Sequence, residues 1–193
     1  EFAARGGDEY EATVRSFAAS DNPDIAWRAR RALAARGLVD AGAIEAWRSA
    51  DGSGEAARMS VEALASPPIE EARRHAWESV YSETLSNDFL TATLAGLQAS
   101  SWEGEPGIEA AVDRLRSYWE SHTIGMALRY ANGVLAYGLD SDRDGSVSRS
   151  VGLLRSWLDT NSDAPAQLRR IVIEHLDAFE RDERVQRRWK QDQ

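Results

Sequence analysis

The chain contains no cysteine. That excludes disulfides, thiolate nucleophiles and every cysteine-based metal site; it fits a reducing compartment, and the expected location is cytoplasmic. No apolar run approaches the ~20 residues that cross a bilayer, and the first residues do not form a signal peptide, so no membrane partner is expected. Alternation with a period of two never persists, and no glycine-rich turn joins a strand to a helix. Positive charge is scarce: 23 Lys and Arg stand against 32 Asp and Glu, a formal net charge of -9. That balance argues against nucleic acid as a partner. Catalytic signatures are missing too. There is no His-Glu-x-x-His, no pair of histidines three or four residues apart and no Gly-x-Ser-x-Gly elbow.

What is present is material for an interior. Of 193 residues 42% are apolar, with seven tryptophans, which suffices for one substantial core or two small ones. The opening Glu1-Phe2, without an initiator methionine, predicts a processed chain or a piece cut from something longer. Residues 1–21 read as a terminal segment or helix, and 22–193 as a helical array.

Nearly every segment has helical punctuation. In "NPDIAWRARRALAARG" Asn22 is the expected cap, Pro23 takes the first helical position, and Ile25, Ala29, Ala32 and Leu33 share a face before Gly37 stops the run. Ile44 and Trp47 mark a shorter helix ending at Asp51-Gly52. Ala57, Val61 and Leu64 predict one side of the next. A helix opening at Pro67-Pro68 should bury Ala72, Ala76, Trp77 and Val80, and another carries Leu90, Leu94 and Leu97. "IEAAVDRLRSYWESH" reads as one helix, and "IGMALRYANGVLAYGL" as one interrupted at Gly133. The closing helix should turn Leu168, Val172, Leu176 and Phe179 inward. Asp177 with Arg181 and Glu180 with Arg184 are placed to support its wet side. The expectation is all-α, about nine or ten antiparallel helices, stacked as a closed bundle or an open solenoid.

"GLDSDRDGSVSRSV" imitates the start of a calcium loop. Counting from Asp140, Asp142, Asp144 and Gly145 stand correctly, but the twelfth position, which needs a bidentate glutamate, is Val151. The stretch reads as an inter-helix connection, with Ser146 or Ser148 capping the helix that carries Leu153 and Trp157. His75, His122 and His175 are isolated, and Glu174 and Asp177 do not complete a metal set around His175. Ser53, in "DGSGE", lacks the first glycine of a nucleophile elbow. Arg187, Arg188, Trp189 and Lys190 form a small basic end that reads as a solvated helix terminus. Trp27, Trp47 and Trp77 recur within apolar faces and read as core. No catalytic, cofactor-binding or metal-binding residue is therefore nominated.

Several blocks, in order, carry a resemblance. Trp27 leads a helix that ends in Ala35-Arg36-Gly37. Asp51, Ser53 and Gly54 follow, and then a proline-led helix runs from Pro67 to Ala76-Trp77. "ETLSNDFLTATLAGLQ" has Leu97 after Gly96, and "LRRIVIEHLDAFERDERVQRR" supplies Leu168, Arg169, Arg170, Glu174, Asp177 and Arg181. Together, over roughly Trp27 to Arg188, the chain resembles the C-terminal helical domain of actinobacterial aminopeptidase N, a zinc-dependent gluzincin aminopeptidase. It departs from that pattern at Asp51–Gly54, without the usual proline and with serine for threonine. At Arg74-His75 it lacks a lysine, at Leu97 an aromatic, and between Gly104 and Val147 the likeness is looser.

The resemblance implies an irregular solenoid of the HEAT or armadillo kind. It also implies a non-catalytic role: enclosing the active-site cavity of an upstream catalytic domain and restricting access to peptides with free N-termini. Zinc belongs to that domain, whose His-Glu-x-x-His and Gly-x-Met-Glu-Asn motifs are absent from this chain. The implied partners are the catalytic domain of the same polypeptide and, in the intact enzyme, peptide substrates. Two readings remain beside it: a freestanding helical-repeat module that binds protein or peptide, and an independent hydrolase.

Overall fold

The computed structural model describes residues 10–82, 84–100, 108–140 and 146–191, with backbone alone at 108, 137–140, 146–148, 186 and 189–191. Among these there are eleven α-helices and no strand, so the all-α class holds. They are α1 Glu11–Ala18, α2 Pro23–Ala35, α3 Ala41–Asp51, α4 Gly54–Leu64, α5 Glu70–Val80, α6 Asn87–Ala99, α7 Ile108–Asp113, α8 Leu115–Ser121, α9 Ile124–Asp140, α10 Ser146–Thr160 and α11 Ala166–Gln191. The chain divides into two compact units, Glu1–Glu105 and Pro106–Gln193.

In the first unit, short polar side chains start the helices by accepting the amide hydrogens that have no partner within the helix. Asn22 accepts from Asp24 and Ile25, Asp40 from Ala43, Ser53 from Ala56 and Ser86 from Phe89. Gly52 stops α3 with φ of 66°, and Gly37 turns the chain after α2 with φ of 67°; side chains rarely adopt that left-handed region. The helices pack in successive pairs, α1 with α2, α3 with α4 and α5 with α6. The second members also touch, α2 against α4 and α4 against α6. Trp27, Ala34, Ile44, Ala56 and Ala63 form one apolar cluster, and Val14, Ala18, Ala29, Ala32 and Leu33 another.

The buried face of α4 is not the expected one. Ala56, Ser60, Glu62 and Ala63 are buried, while Ala57, Val61 and Leu64 are only half-buried. The reason is the closeness of α6. A Cβ at Gly96 would lie 2.3 Å from the Glu62 carbonyl oxygen and 2.7 Å from the Ala65 Cβ, so much of this contact face is small. Ile25 departs as well, at 43% exposure, because α1 and α4 flank α2 without covering its first turn. Pro67 and Pro68 precede α5 rather than opening it; the helix starts at Glu70 after an extended Ile69.

In the second unit α9 is the hub, touching α7, α8, α10 and α11. It runs through Gly133 without interruption. The expected single helix from Ile108 to His122 is broken at Arg114 into α7 and α8, with no proline or glycine there to account for it. Tyr130 is buried and donates its hydroxyl to the Ala111 carbonyl at 2.9 Å. On α11, Leu168, Val172, Leu176 and Phe179 are all buried, as the spacing predicts.

Candidate functional site

The most organised side-chain network in the first unit surrounds Trp27. Its indole Nε1–H donates to the Asp51 carboxylate at 3.1 Å, which ties the start of α2 to the end of α3. The Arg30 guanidinium lies 5.0 Å from the Trp27 ring centroid and 5.1 Å from that of Trp47. Both distances suit cation–π attraction. Arg30 also donates through Nε to the Ala18 carbonyl, at 3.1 Å, at the end of α1. Hydrogen bonds from Ser53 first, then from Trp27, hold the Asp51 carboxyl below the usual aspartate range. A carboxylate kept ionised in this way is a poor proton donor or acceptor near neutrality. Its geometry serves to anchor.

Other residues take similar positions. Gly96 provides the close approach of α6 to α4. Arg73, buried on α5, donates to the Ala65 carbonyl at 3.2 Å and the Leu97 carbonyl at 2.7 Å. Arg169 donates from one nitrogen to the carbonyls of Leu158 and Asn161, both at 2.7 Å. Arg30, Arg73 and Arg169 thus repeat one device: a guanidinium reaches to carbonyls at the end of another helix, an earlier one for Arg30 and Arg169 and both an earlier and a later one for Arg73. Those carbonyls have no acceptor role left inside their own helix, and the negative end of the helix dipole attracts the cation. Sequence reasoning missed all three arginines in this role. Arg73 in particular sits among charged residues in "EEARRHAWE", with nothing local to mark it as buried.

The histidines do not assemble. His75 is exposed in the first unit. In the second, His122 stacks on Tyr118, with ring centroids 3.8 Å apart, and Tyr118 in turn stacks on Tyr130 at 4.0 Å. The His122 Nδ1 lies 2.9 Å from the Ser121 hydroxyl. His175 is half-buried on α11, its Nε2 3.3 Å from the Asn132 side-chain oxygen on α9. Burial lowers its pKa, and Glu174 offsets this only in part. Among the described residues no group of three His, Asp or Glu side chains could hold a metal ion.

Ser53 proves to be the cap of α4, its hydroxyl accepting from the Ala56 amide at 3.0 Å. Arg187 is exposed and pairs with Glu183 at 2.8 Å; the side chains of Trp189 and Lys190 lie outside the described residues. So do the aspartate loop, residues 141–145, and the side chains of Asp140, Ser146 and Ser148. On α11, Glu180 binds Arg155 at 2.7 Å and approaches Arg184 at 4.0 Å, whereas no ion pair links Asp177 to Arg181 among the described residues. Trp27 and Trp77 are buried and Trp47 is half-buried. No helix among the described residues is long and apolar enough to cross a membrane. Compared with protein-family models and with curated protein sequences, the chain matches none of them.

Proposed function

We propose that this chain is the non-catalytic C-terminal helical domain of a zinc aminopeptidase, acting to enclose the cavity of the catalytic domain and to limit which peptides enter. One observation carries the reading: the helices of the first unit pair in sequence, and their second members α2, α4 and α6 touch in succession. That is the stacking rule of a HEAT-like array, whose inner helices form an extended surface suited to shape selection. The residues behind the resemblance support it by their roles, since Trp27, Asp51, Ser53, Gly96 and Arg169 hold helices together. The contribution to catalysis is indirect: closure excludes bulk water and selects substrates by shape. Zinc and the recognition of the free amine belong to the upstream domain, in a reducing cytoplasm.

The test begins with the coding sequence. An upstream His-Glu-x-x-His followed by a distant glutamate is expected, and its absence sinks the proposal. The purified 193-residue chain should bind no stoichiometric zinc and release no N-terminal amino acid from a peptide. Zinc-dependent turnover by the clean chain would instead establish a hydrolase. A second reading, a freestanding helical-repeat module that binds protein or peptide, is favoured by the partly apolar cleft on α2. A native product of about 193 residues with no peptidase domain would support it.

A further inference from the structure

One face of α2 forms the floor of a cleft of about 720 Å³. Exposed Ile25 and Arg28 and buried Ala29 and Ala32 recur along it at the spacing of one helical face. Val14 and Phe17 of α1 make one wall, and Arg58, Met59 and Glu62 of α4 the other. Phe17 is 51% exposed and Ile25 43% exposed, so apolar surface is left open in a groove with helices on both sides. Arg28, Arg31 and Arg58 line it, with Glu62 as the acid among its described lining residues, in a chain of net charge -9. Glu62 is buried and paired with Arg31, and Arg58 is held by Glu55 at 2.5 Å and lies 3.7 Å from Glu62, so the charge left unneutralised in the groove is that of Arg28. Arg28 is exposed and makes no ion pair among the described residues.

We propose that this groove docks an amphipathic helix that carries carboxylates along the edge of its apolar stripe. The floor runs from Ile25 to Ala32, ~12 Å at about 1.5 Å per residue, and so accepts about two turns of a partner helix. Phe17, Ile25 and Met59 offer the contacts that i, i+3 and i+4 apolar anchors need. Arg28 supplies the fixed charge that selects acidic over basic partners, and like-charge contact disfavours the latter. A nucleic acid would also meet these arginines, but it would have to approach against the net charge and would leave Phe17 and Ile25 uncovered. This inference does not depend on the upstream peptidase.

The probe is a labelled synthetic helix of about 18 residues, roughly five turns, with leucines at i, i+3, i+4 and i+7 and glutamates beside them. Fluorescence anisotropy with the full chain should give saturable binding. Replacing the glutamates by lysines should weaken it about tenfold or more, as should Arg28→Glu or Phe17→Ser in the protein. Arg74→Glu, an exposed change on α5, should leave it unaltered. Phe17 and Arg28 are exposed, and Ile25→Ser gives a third variant, so circular-dichroism melting separates lost binding from lost fold. Absence of binding, equal binding of the lysine peptide, or indifference to Arg28→Glu and Phe17→Ser would each overturn the proposal. So would a homodimer in sedimentation that Phe17→Ser dissolves, because the occupant would then be a second copy of this chain.

Discussion

At the scale of single residues, the buried arginine on α5 is the most exacting position. Arg73 is 1% exposed, and its donors satisfy the carbonyls of Ala65 and Leu97. Arg73→Met keeps much of the stem but leaves those acceptors unpaired. At about 1–3 kcal/mol for each buried unsatisfied group, urea unfolding should show a loss of about 2–5 kcal/mol. The neighbour Arg74 is exposed and pairs only with exposed Glu78, so Arg74→Met should cost about 0.5 kcal/mol or less. Gly96→Ala should also destabilise, by about 1–3 kcal/mol, since its methyl group meets the Glu62 carbonyl, an atom of helix backbone that yields little. His175 has a pH signature. Its pKa is lowered by burial, so the unfolded chain binds a proton more readily than the native one. Its contribution is fully present above the ordinary histidine value of about 6.5 and is lost as pH falls through the native value. Stability should therefore decline on acidification from neutrality, and His175→Gln should flatten the decline. An NMR titration of the His175 ring with a midpoint above the ordinary value would contradict this.

At the scale of helices, the terminal residues and the large apolar positions were the legible part. Asn22, Asp51-Gly52 and the spacing of Leu168, Val172, Leu176 and Phe179 each state their role locally, because capping and a 3.6-residue period involve only near neighbours. Asn22→Ala should therefore cost about 1 kcal/mol in thermal or urea unfolding. Phe179→Ala should cost about 3–5 kcal/mol, against a few tenths for Arg170→Ala, whose ion pair with Glu174 is an i,i+4 surface contact. The illegible part depended on neighbours distant in sequence. The buried face of α4 is dictated by how near α6 comes, and that distance is governed by Gly96, more than thirty residues on. The break at Arg114 has no local mark, and the uninterrupted course of α9 shows that Gly133 alone does not stop a helix packed on four others. Isolated histidines and scattered acids nominate no site by local spacing, whereas the cleft on α2 needed three helices in place before it existed.

At the scale of the whole molecule, the chain divides into two compact units, and a fragment ending at Glu105 should keep a helical circular-dichroism spectrum and melt cooperatively. A gradual, non-cooperative melt would show that its interior is incomplete. Calcium titrated into the full chain should give no saturable heat and no rise in melting temperature, because Val151 cannot close the coordination of Asp140, Asp142 and Asp144. Micromolar binding abolished by Asp142→Ala would reverse that. The Arg73 bridge also has a consequence for biosynthesis. Among its described carbonyl partners, Ala65 lies before it in the chain and Leu97 in α6, which leaves the ribosome later. A nascent chain that has emerged only as far as Val80 holds a cation with a ligand still untranslated, so α4 and α5 must wait, incompletely locked, for Leu97. The first unit should therefore resist protease on stalled ribosomes only once residues up to about 100 have cleared the exit tunnel, in one late step rather than helix by helix.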